Sequence, residues 1–371
     1  MNILYLTNIP TPYRIDFFDE LGKLCNLTVL YERKTAKNRE TSWLNKKANN
    51  FHEIFLTGKN FGVEASLSFE VIKWLKKSDF DLIVIGGYST PTGMLAINYL
   101  RMKKIPFVLN IDGGLIKKDK LLKYFIKKYY ISSPTYWLSP GKSATKYLIH
   151  YGAQKTKIYE YPFSSVREND ISTEAANDDI TKTQLKRDLG ITEEKIVLTV
   201  GQIIHRKGID VLIHSAKETR DIGFYIVGGE PTKEYEDLLK KWNVHNVHFV
   251  GFKNKGELSR FYMAADLFVL PTREDIWGLV INEALAKGIP VITTDKCVAG
   301  LELIESGVNG YIVPAGNSSS LRCAIEDLIW DVGMLKRMRT NNLRKIKSYT
   351  IESMAKRHFE IFDELYQGSR S

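Results

Sequence analysis

Cysteine is scarce in this chain of 371 residues. Its three copies, Cys25, Cys297 and Cys323, lie far apart with no CxxC pair and no metal-ligand spacing, which argues against a disulfide scaffold or zinc module and for a reduced, cytosolic protein. The opening MNILYLTNIPTPYR lacks a basic start, and its apolar run stops at Thr7-Asn8, too short for a secretory signal. A charge-free run at 82–100, LIVIGGYSTPTGMLAINYL, approaches membrane-spanning length. Its Gly86, Gly87, Ser89, Thr90, Pro91 and Asn98 make a poor spanning helix, so a buried strand, loop and helix is expected there. GxxxxGK[ST] is absent, which excludes a P-loop. No short-period repeat and no basic-aromatic nucleic-acid motif occurs.

What is present is ordinary globular material, 44% hydrophobic and 26% charged. Lys and Arg outnumber Asp and Glu by 53 to 43, a net charge of +10, which favours anionic partners: nucleotides, nucleic acid or acidic lipid headgroups. The length suggests two domains. Short β-rich runs at 2–7, 27–31, 81–86 and 106–111 alternate with helical patterns, and a second series follows at 195–201, 223–228, 247–251, 266–271 and 290–294. Such alternation predicts two parallel-sheet βα domains. The polar stretch at 164–179 reads as their linker. The expected domains are 1–165 and 166–354, with a C-terminal helix over about 355–371 available to pack back on the first.

Ligands of open α/β sheets bind beyond the carboxyl ends of the strands. In GQIIHRKGID, Arg206 and Lys207 stand there beside glycines that let a ligand approach, a candidate diphosphate site whose plainer alternative is a solvated basic turn. In PTREDIWGLVINEALAKG, Pro271 closes a strand, 272–277 form a loop, and a helix starts at Gly278. The free amides of Gly278 and Leu279 would point at an anion. Glu283, one turn on, leans back toward the helix start, where its oxygens could accept from a vicinal diol. Asp275 would face the ligand's other end.

These segments resemble the retaining glycosyltransferases of family 4, and the likeness runs over nearly the whole chain. It is most specific where VGQIIHRKGIDVL, IVGGEP, VHFVGF, LSRFYMAADLFVLPTREDIWGLVINEALAKGIPVITTD and GLELIESGVNGYIVP follow in the family's order. The resemblance implies an α/β GT-B fold, two Rossmann-like βαβ domains facing across a cleft. It implies a nucleotide-sugar donor held mainly by the second domain, with diphosphate near Lys207 and ribose at Glu283. The earlier acid of the family's paired carboxylates, commonly Glu, falls on Asp275 with Glu274 adjacent, so either could meet the donor sugar. Where the family often has Arg after the glycine matching Gly201, this chain has Gln202, and proximity assigns the second phosphate cation to Arg206. Gly201, Phe252, Trp277, Gly278 and Leu279 complete the expected donor contacts.

The first domain's NIPTPYR and VLNIDGG resemble the family's donor-closing and acceptor-side loops. Many members carry a sugar-contacting His near the position of Asp112; an Asp-Gly turn is the plainer reading of that residue. Tyr13, Arg14, Gly87, Tyr88 and Gly113 are the expected acceptor-side residues, with a salt bridge equally open to Arg14. Asp79-Phe80-Asp81 looks like a DxD metal motif but precedes its strand, the wrong end for a ligand, and reads as structural. His150 and His205 lack partners at ligand spacing. The segment 115–130 predicts an amphipathic helix with Leu122, Phe125, Ile126 and Tyr129 on one face and Lys117, Lys120, Lys123 and Lys127 mostly on the other. Packing on its own sheet and resting on anionic lipid both fit that pattern.

The expected function is therefore a metal-independent glycosyltransferase without a cofactor. It would move a sugar from a nucleotide diphosphate to a hydroxyl of a glycan or lipid-linked acceptor in polysaccharide or glycoconjugate assembly, in the cytoplasm or on the membrane's inner face, without nucleic acid. A nucleotide-sugar epimerase of the same fold and a basic nucleic-acid-binding protein are the alternatives.

Overall fold

The computed structural model describes residues 1–34, 47–61, 65–77, 79–173, 179–217, 219 and 221–368. Residues 174–178, within the expected linker, lie outside them. The chain divides into two compact units, Met1–Ser165 with Tyr349–Ser371, and Val166–Ser348.

The first unit begins β1 (Asn2–Thr7), α1 (Pro12–Gly22), β2 (Asn26–Tyr31) and β3 (His52–Phe55). An antiparallel hairpin of β4 (Lys59–Phe61) and β5 (Ala65–Leu67) follows, then α2 (Val71–Leu75), β6 (Leu82–Ile85) and α3 (Pro91–Met102). The unit continues through β7 (Val108–Asn110), α4 (Leu121–Ile131), β8 (Tyr136–Ser139), α5 (Lys142–His150) and β9 (Ile158–Glu160). Seven strands form one parallel sheet in the order β3-β2-β1-β6-β7-β8-β9. In β1, Ile3 to Thr7 are all buried, as a strand covered on both faces requires.

The second unit contains α6 (Asp179–Asp188), β10 (Lys195–Val200), α7 (Ile209–Ala216), β11 (Ile222–Val227), α8 (Lys233–Trp242) and β12 (Val247–Phe249). After these come α9 (Lys255–Ala264), β13 (Leu267–Leu270), α10 (Leu279–Ala286), β14 (Val291–Thr294), α11 (Val298–Leu303), β15 (Gly310–Val313), α12 (Ser318–Ile329) and α13 (Val332–Ile346). Its parallel sheet has the order β12-β11-β10-β13-β14-β15. The chain then returns to the first unit as α14 (Ile351–Gly368), which packs on α1. The return starts at Tyr349, ahead of the boundary expected at 354.

Strands β3, β8, β9 and β15 add to the runs expected from the sequence. HEIF, YWLS, IYE and GYIV mix polar and apolar residues over three or four positions, too few to show a period. Residues 82–100 are strand, loop and helix, and among the described residues no helix is long and apolar enough to cross a membrane. Asp81 caps the amino end of its sheet, its Oδ2 accepting from Asn2 N at 2.7 Å.

Helix α4 packs on the core of its own sheet through Tyr124, Tyr130 and Ile131, not through the apolar stripe expected. It starts at Leu121, and Ile131 is its only buried residue; Leu122, Phe125, Ile126 and Tyr129 lie exposed.

Each sheet has a switch point where the strand order reverses direction: β1/β6 in the first unit and β10/β13 in the second. The loops after these strands are where each unit is built to receive a ligand.

Candidate active site

In the second unit the two switch-point loops are 201–208, after β10, and 271–278, after β13. Gly208 is what lets them meet. Its φ is +70°, and a Cβ there would stand 2.1 Å from the Pro271 carbonyl oxygen. The contact is then fastened by hydrogen bonds. Arg273 N and Thr272 Oγ1 both donate to the Arg206 carbonyl, at 2.9 and 3.0 Å. The Arg273 guanidinium donates to both carboxylate oxygens of Asp210, at 2.7 and 2.5 Å, and to the His205 carbonyl at 3.0 Å. A planar fork on a carboxylate fixes orientation as well as distance.

The expected charged residues converge on this seam. Lys207 Nζ, on a 3-10 turn, donates to Asp275 Oδ2 at 2.6 Å. Arg206 Nη1 donates to the Glu274 carbonyl at 2.7 Å and lies 3.7 Å from Asp275 Oδ1. Asp275 is 7% exposed. Its backbone N–H donates to the Lys296 carbonyl and its carbonyl accepts from Val298 N, so a second strand end pins the acid. Gly201 faces Lys207: a Cβ there would lie 3.4 Å from the lysine's Cε.

Gly278, at φ +100°, turns the chain into α10, which has no side-chain cap. Its amino end adjoins Asp275, whose Oδ1 accepts from Trp277 N at 3.4 Å. Glu283 follows one turn later, half-buried, and its Oε2 accepts from the Tyr262 hydroxyl at 3.0 Å. Burial, and then Glu283 itself, hold the Tyr262 hydroxyl protonated far above its ordinary range, so it acts as a fixed donor. Leu279 is half-buried at the helix start, and Phe252, three residues beyond β12, is 56% exposed.

Trp277 corrects an expectation. Its ring is 2% exposed and its Nε1 donates to buried Asn282 at 3.0 Å. The ring frames the loop from behind and offers no face to a ligand. Cys297 supports the same turn, its thiol donating to the Trp277 carbonyl at 3.1 Å. Burial, then the Asp275 carboxylate, pushes that thiol up to about 12, which keeps it a neutral donor.

In the first unit Asp112 follows β7 and pairs with Arg14 of α1 across 98 residues of sequence. Arg14 is 5% exposed, which corrects the expectation that it touches phosphate or acceptor; its salt-bridge alternative is the one found. Burial works to strip its proton, but Asp112 prevails and holds the guanidinium charged above its ordinary range. Asp112 Oδ1 is enclosed with no hydrogen-bond partner among the described residues. Behind the pair, Tyr161 donates to the Ile111 carbonyl at 2.7 Å, and His358 of α14 lies 3.1 Å from Asn110 Oδ1. Tyr13 sits edge-on to Phe163. Gly113 carries the chain away from Asp112. Gly87 stands in open space after β6, and the hydroxyl of its neighbour Tyr88 meets that of Tyr147.

Tyr262, Arg273, Asp210, Thr272 and Cys297 are site-building residues the sequence reading missed. Among the described residues no group of three His, Cys, Asp or Glu side chains could hold a metal ion.

Comparison with known proteins agrees with this architecture. Residues 181–345 match the model of the glycosyl transferases group 1. An uncharacterised glycosyltransferase of Methanocaldococcus jannaschii is 32% identical over 190 residues, 49% of this chain and 48% of that protein, so the match spans about half the relative's length. The capsular polysaccharide biosynthesis glycosyltransferase CapM of Staphylococcus aureus is 28% identical over 253 residues, 65% of each chain. The crystal structure of Anabaena HepE in complex with UDP-glucose superposes with a TM-score of 0.77 at 18% identity, covering 99% of this chain and 100% of that one. Two parallel-sheet units of the GT-B-like type thus form this chain, and its second-unit site residues all fall within the stretch 181–345 that matches the glycosyl transferases group 1 model.

Proposed function

We propose that the protein is a retaining glycosyltransferase, taking a sugar from a nucleotide diphosphate donor held by the second unit. The acceptor would be a hydroxyl of a glycan or lipid-linked molecule in polysaccharide or glycoconjugate assembly. One observation carries the reading: Lys207, Arg206, Asp275 and the uncapped start of α10 meet at the β10/β13 switch point, with Glu283 further along that helix. The capsule assignment of CapM and the UDP-glucose bound by HepE support the reaction class and the donor class.

Lys207 and Arg206, with the α10 amides, would stabilise charge on the departing diphosphate without a metal. Both cations now lie against Asp275; donor binding would exchange that carboxylate for phosphate and turn Asp275 toward the sugar hydroxyls. Glu283, aimed by Tyr262, would accept from the ribose diol. With Asp275 on the sugar hydroxyls and Glu283 on the ribose, neither acid stands as a nucleophile behind the anomeric carbon; attack would come from the leaving group's own face, with the departing phosphate oxygen taking the acceptor proton.

The test is a panel of nucleotide diphosphate sugars, UDP-glucose included, scored for nucleoside diphosphate release with and without excess EDTA. Turnover that survives EDTA and falls at least a hundredfold in Lys207→Ala is expected. NMR of the first product should show an α-linkage from an α-donor. A β-product, or full inhibition by EDTA reversed on adding metal, would overturn the mechanism.

A further inference from the structure

The carboxyl ends of β11 and β12 adjoin the candidate active site, on the side of β10 away from β13. Backbone alone joins them to loop 201–208. Gly201 N donates to the Val227 carbonyl and Gly228 N to the Gly251 carbonyl, both at 2.9 Å, and a Cβ on Gly228 would stand 2.0 Å from the Gly201 carbonyl oxygen. A Cβ on the next residue, Gly229, would meet only Ile203 Cγ1, at 3.2 Å. Two side chains border this bare strip. Phe252 is 56% exposed, and the Glu230 carboxylate rests against its neighbour Gly251, Oε1 lying 3.0 Å from where a Cβ would be. Glu230 is exposed, and among the described residues it has no hydrogen-bond or ion-pair partner.

We propose that Glu230 selects guanine as the base of the donor. The inference rests on the nucleotide-donor reading and names the base within it. With the diphosphate at the β10/β13 switch point, the end of β12 lies two strand spacings from β10, about 10 Å, a reach that the nucleoside half of the donor covers. Phe252 and the bare strip at Gly229 offer flat surfaces to a ring, and stacking of this kind accepts any base. Choice therefore falls to the edge of the ring. An ionised carboxylate only accepts hydrogen bonds, and its two oxygens take two parallel donors. Guanine sets two donors side by side, N1–H and the N2 amine. Adenine and cytosine set an amine beside an acceptor nitrogen, and the one N–H of uracil stands between two carbonyl oxygens. Each of these three turns a lone pair toward the carboxylate. An unpaired acid beside a diphosphate site also repels the ligand it serves, a cost that a base pairing with both oxygens offsets.

The test is calorimetric titration of the full-length chain with GDP, UDP, ADP and CDP. GDP should bind roughly tenfold or more tightly than each of the others, the effect of one hydrogen bond to a charged group. Glu230→Gln exchanges one acceptor oxygen for an amine. It should weaken GDP by roughly tenfold or more and tighten UDP, because a carboxamide pairs donor to acceptor with the N3–H and carbonyl edge of uracil. Phe252→Ala should weaken all four ligands by a similar factor, since a ring stacks on any base. Both side chains are exposed, so the melting temperatures of the two variants should match that of the parent. A parent that prefers UDP, ADP or CDP, or that binds all four alike, would overturn the guanine assignment while leaving the donor reading standing. So would a Glu230→Gln variant with the base preference of the parent. If none of the four binds, the donor reading itself fails and this inference with it.

Discussion

Glu283 and Lys207 illustrate what single residues reveal. Both were expected to contact a ligand; the structure puts Lys207 on the seam between loops 201–208 and 271–278, against Asp275, and Glu283 in α10 beside the Tyr262 hydroxyl. Tyr262 was not legible, since an aromatic 21 positions before Glu283 in a helix has no local mark of its use. Removing its hydroxyl leaves Glu283 less well aimed. Tyr262→Phe should weaken donor affinity by at most roughly 1.5–3 kcal/mol, the range of one hydrogen bond to a charged group, with turnover at saturating donor less affected; calorimetric titration of the nucleoside diphosphate checks it.

Two buried ionisable residues of the first unit should set its pH dependence. Burial pushes the Glu32 carboxyl up to about 7, opposed by its hydrogen bond from Thr90, while its Oε2 has no partner among the described residues. The folded state therefore keeps a proton that the unfolded chain releases above its ordinary value of 4.5. Stability from this residue is complete below pH 4.5 and is lost as pH rises through about 7. His358 runs the other way. Burial lowers it from 6.5 to about 3, so its contribution is complete above pH 6.5 and is lost as pH falls toward 3. The two slopes nearly cancel between pH 4.5 and 6.5. Glu32→Gln should uncover the histidine slope and be more stable than the parent at pH 8, by on the order of 3 kcal/mol at most, but not at pH 4. Urea unfolding at the two pH values reads this directly, and an unchanged difference between them would refute it.

At the level of elements, the strand runs and the two helix starts at loops 201–208 and 271–278 could be read because each shows a local pattern. The Arg273–Asp210 fork could not, since it joins residues 63 positions apart. Nor could the outward turn of α4, because an amphipathic stripe reads identically whichever way it faces. The seam between the two loops depends most on Gly208. Gly208→Val should disrupt it: the backbone sits at φ +70°, and any Cβ meets the Pro271 carbonyl. The expected result is loss of donor binding by at least tenfold and destabilisation of several kcal/mol, measured by nucleotide titration and thermal melting. Gln202→Ala, in the same loop, is the control.

At the level of the whole molecule, the sequence offered a C-terminal helix to the first unit but not the residues that α14 meets there. Its amphipathic pattern announces a helix, but its partners, Phe17 at 4.7 Å and Tyr161 at 4.4 Å from the His358 ring, come from elements far earlier in the chain. A chain ending at Ser348 should keep the cooperative melting of the second unit, which is continuous in sequence, and lose that of the first. Limited proteolysis should then cut α1 while sparing α7 and α10. Equal protection of both would contradict the dependence on α14.

The same connectivity bears on the order in which the protein is made. The second unit lies inside the sequence of the first, so on the ribosome it is finished while the earlier unit still lacks its last helix. The nascent first unit must wait with Phe17 and the face of α1 uncovered until the final eighteen-residue helix emerges. Synthesis should therefore pass through a state with a complete second unit and an open first one, the stage most exposed to chaperone capture and to damage by premature termination.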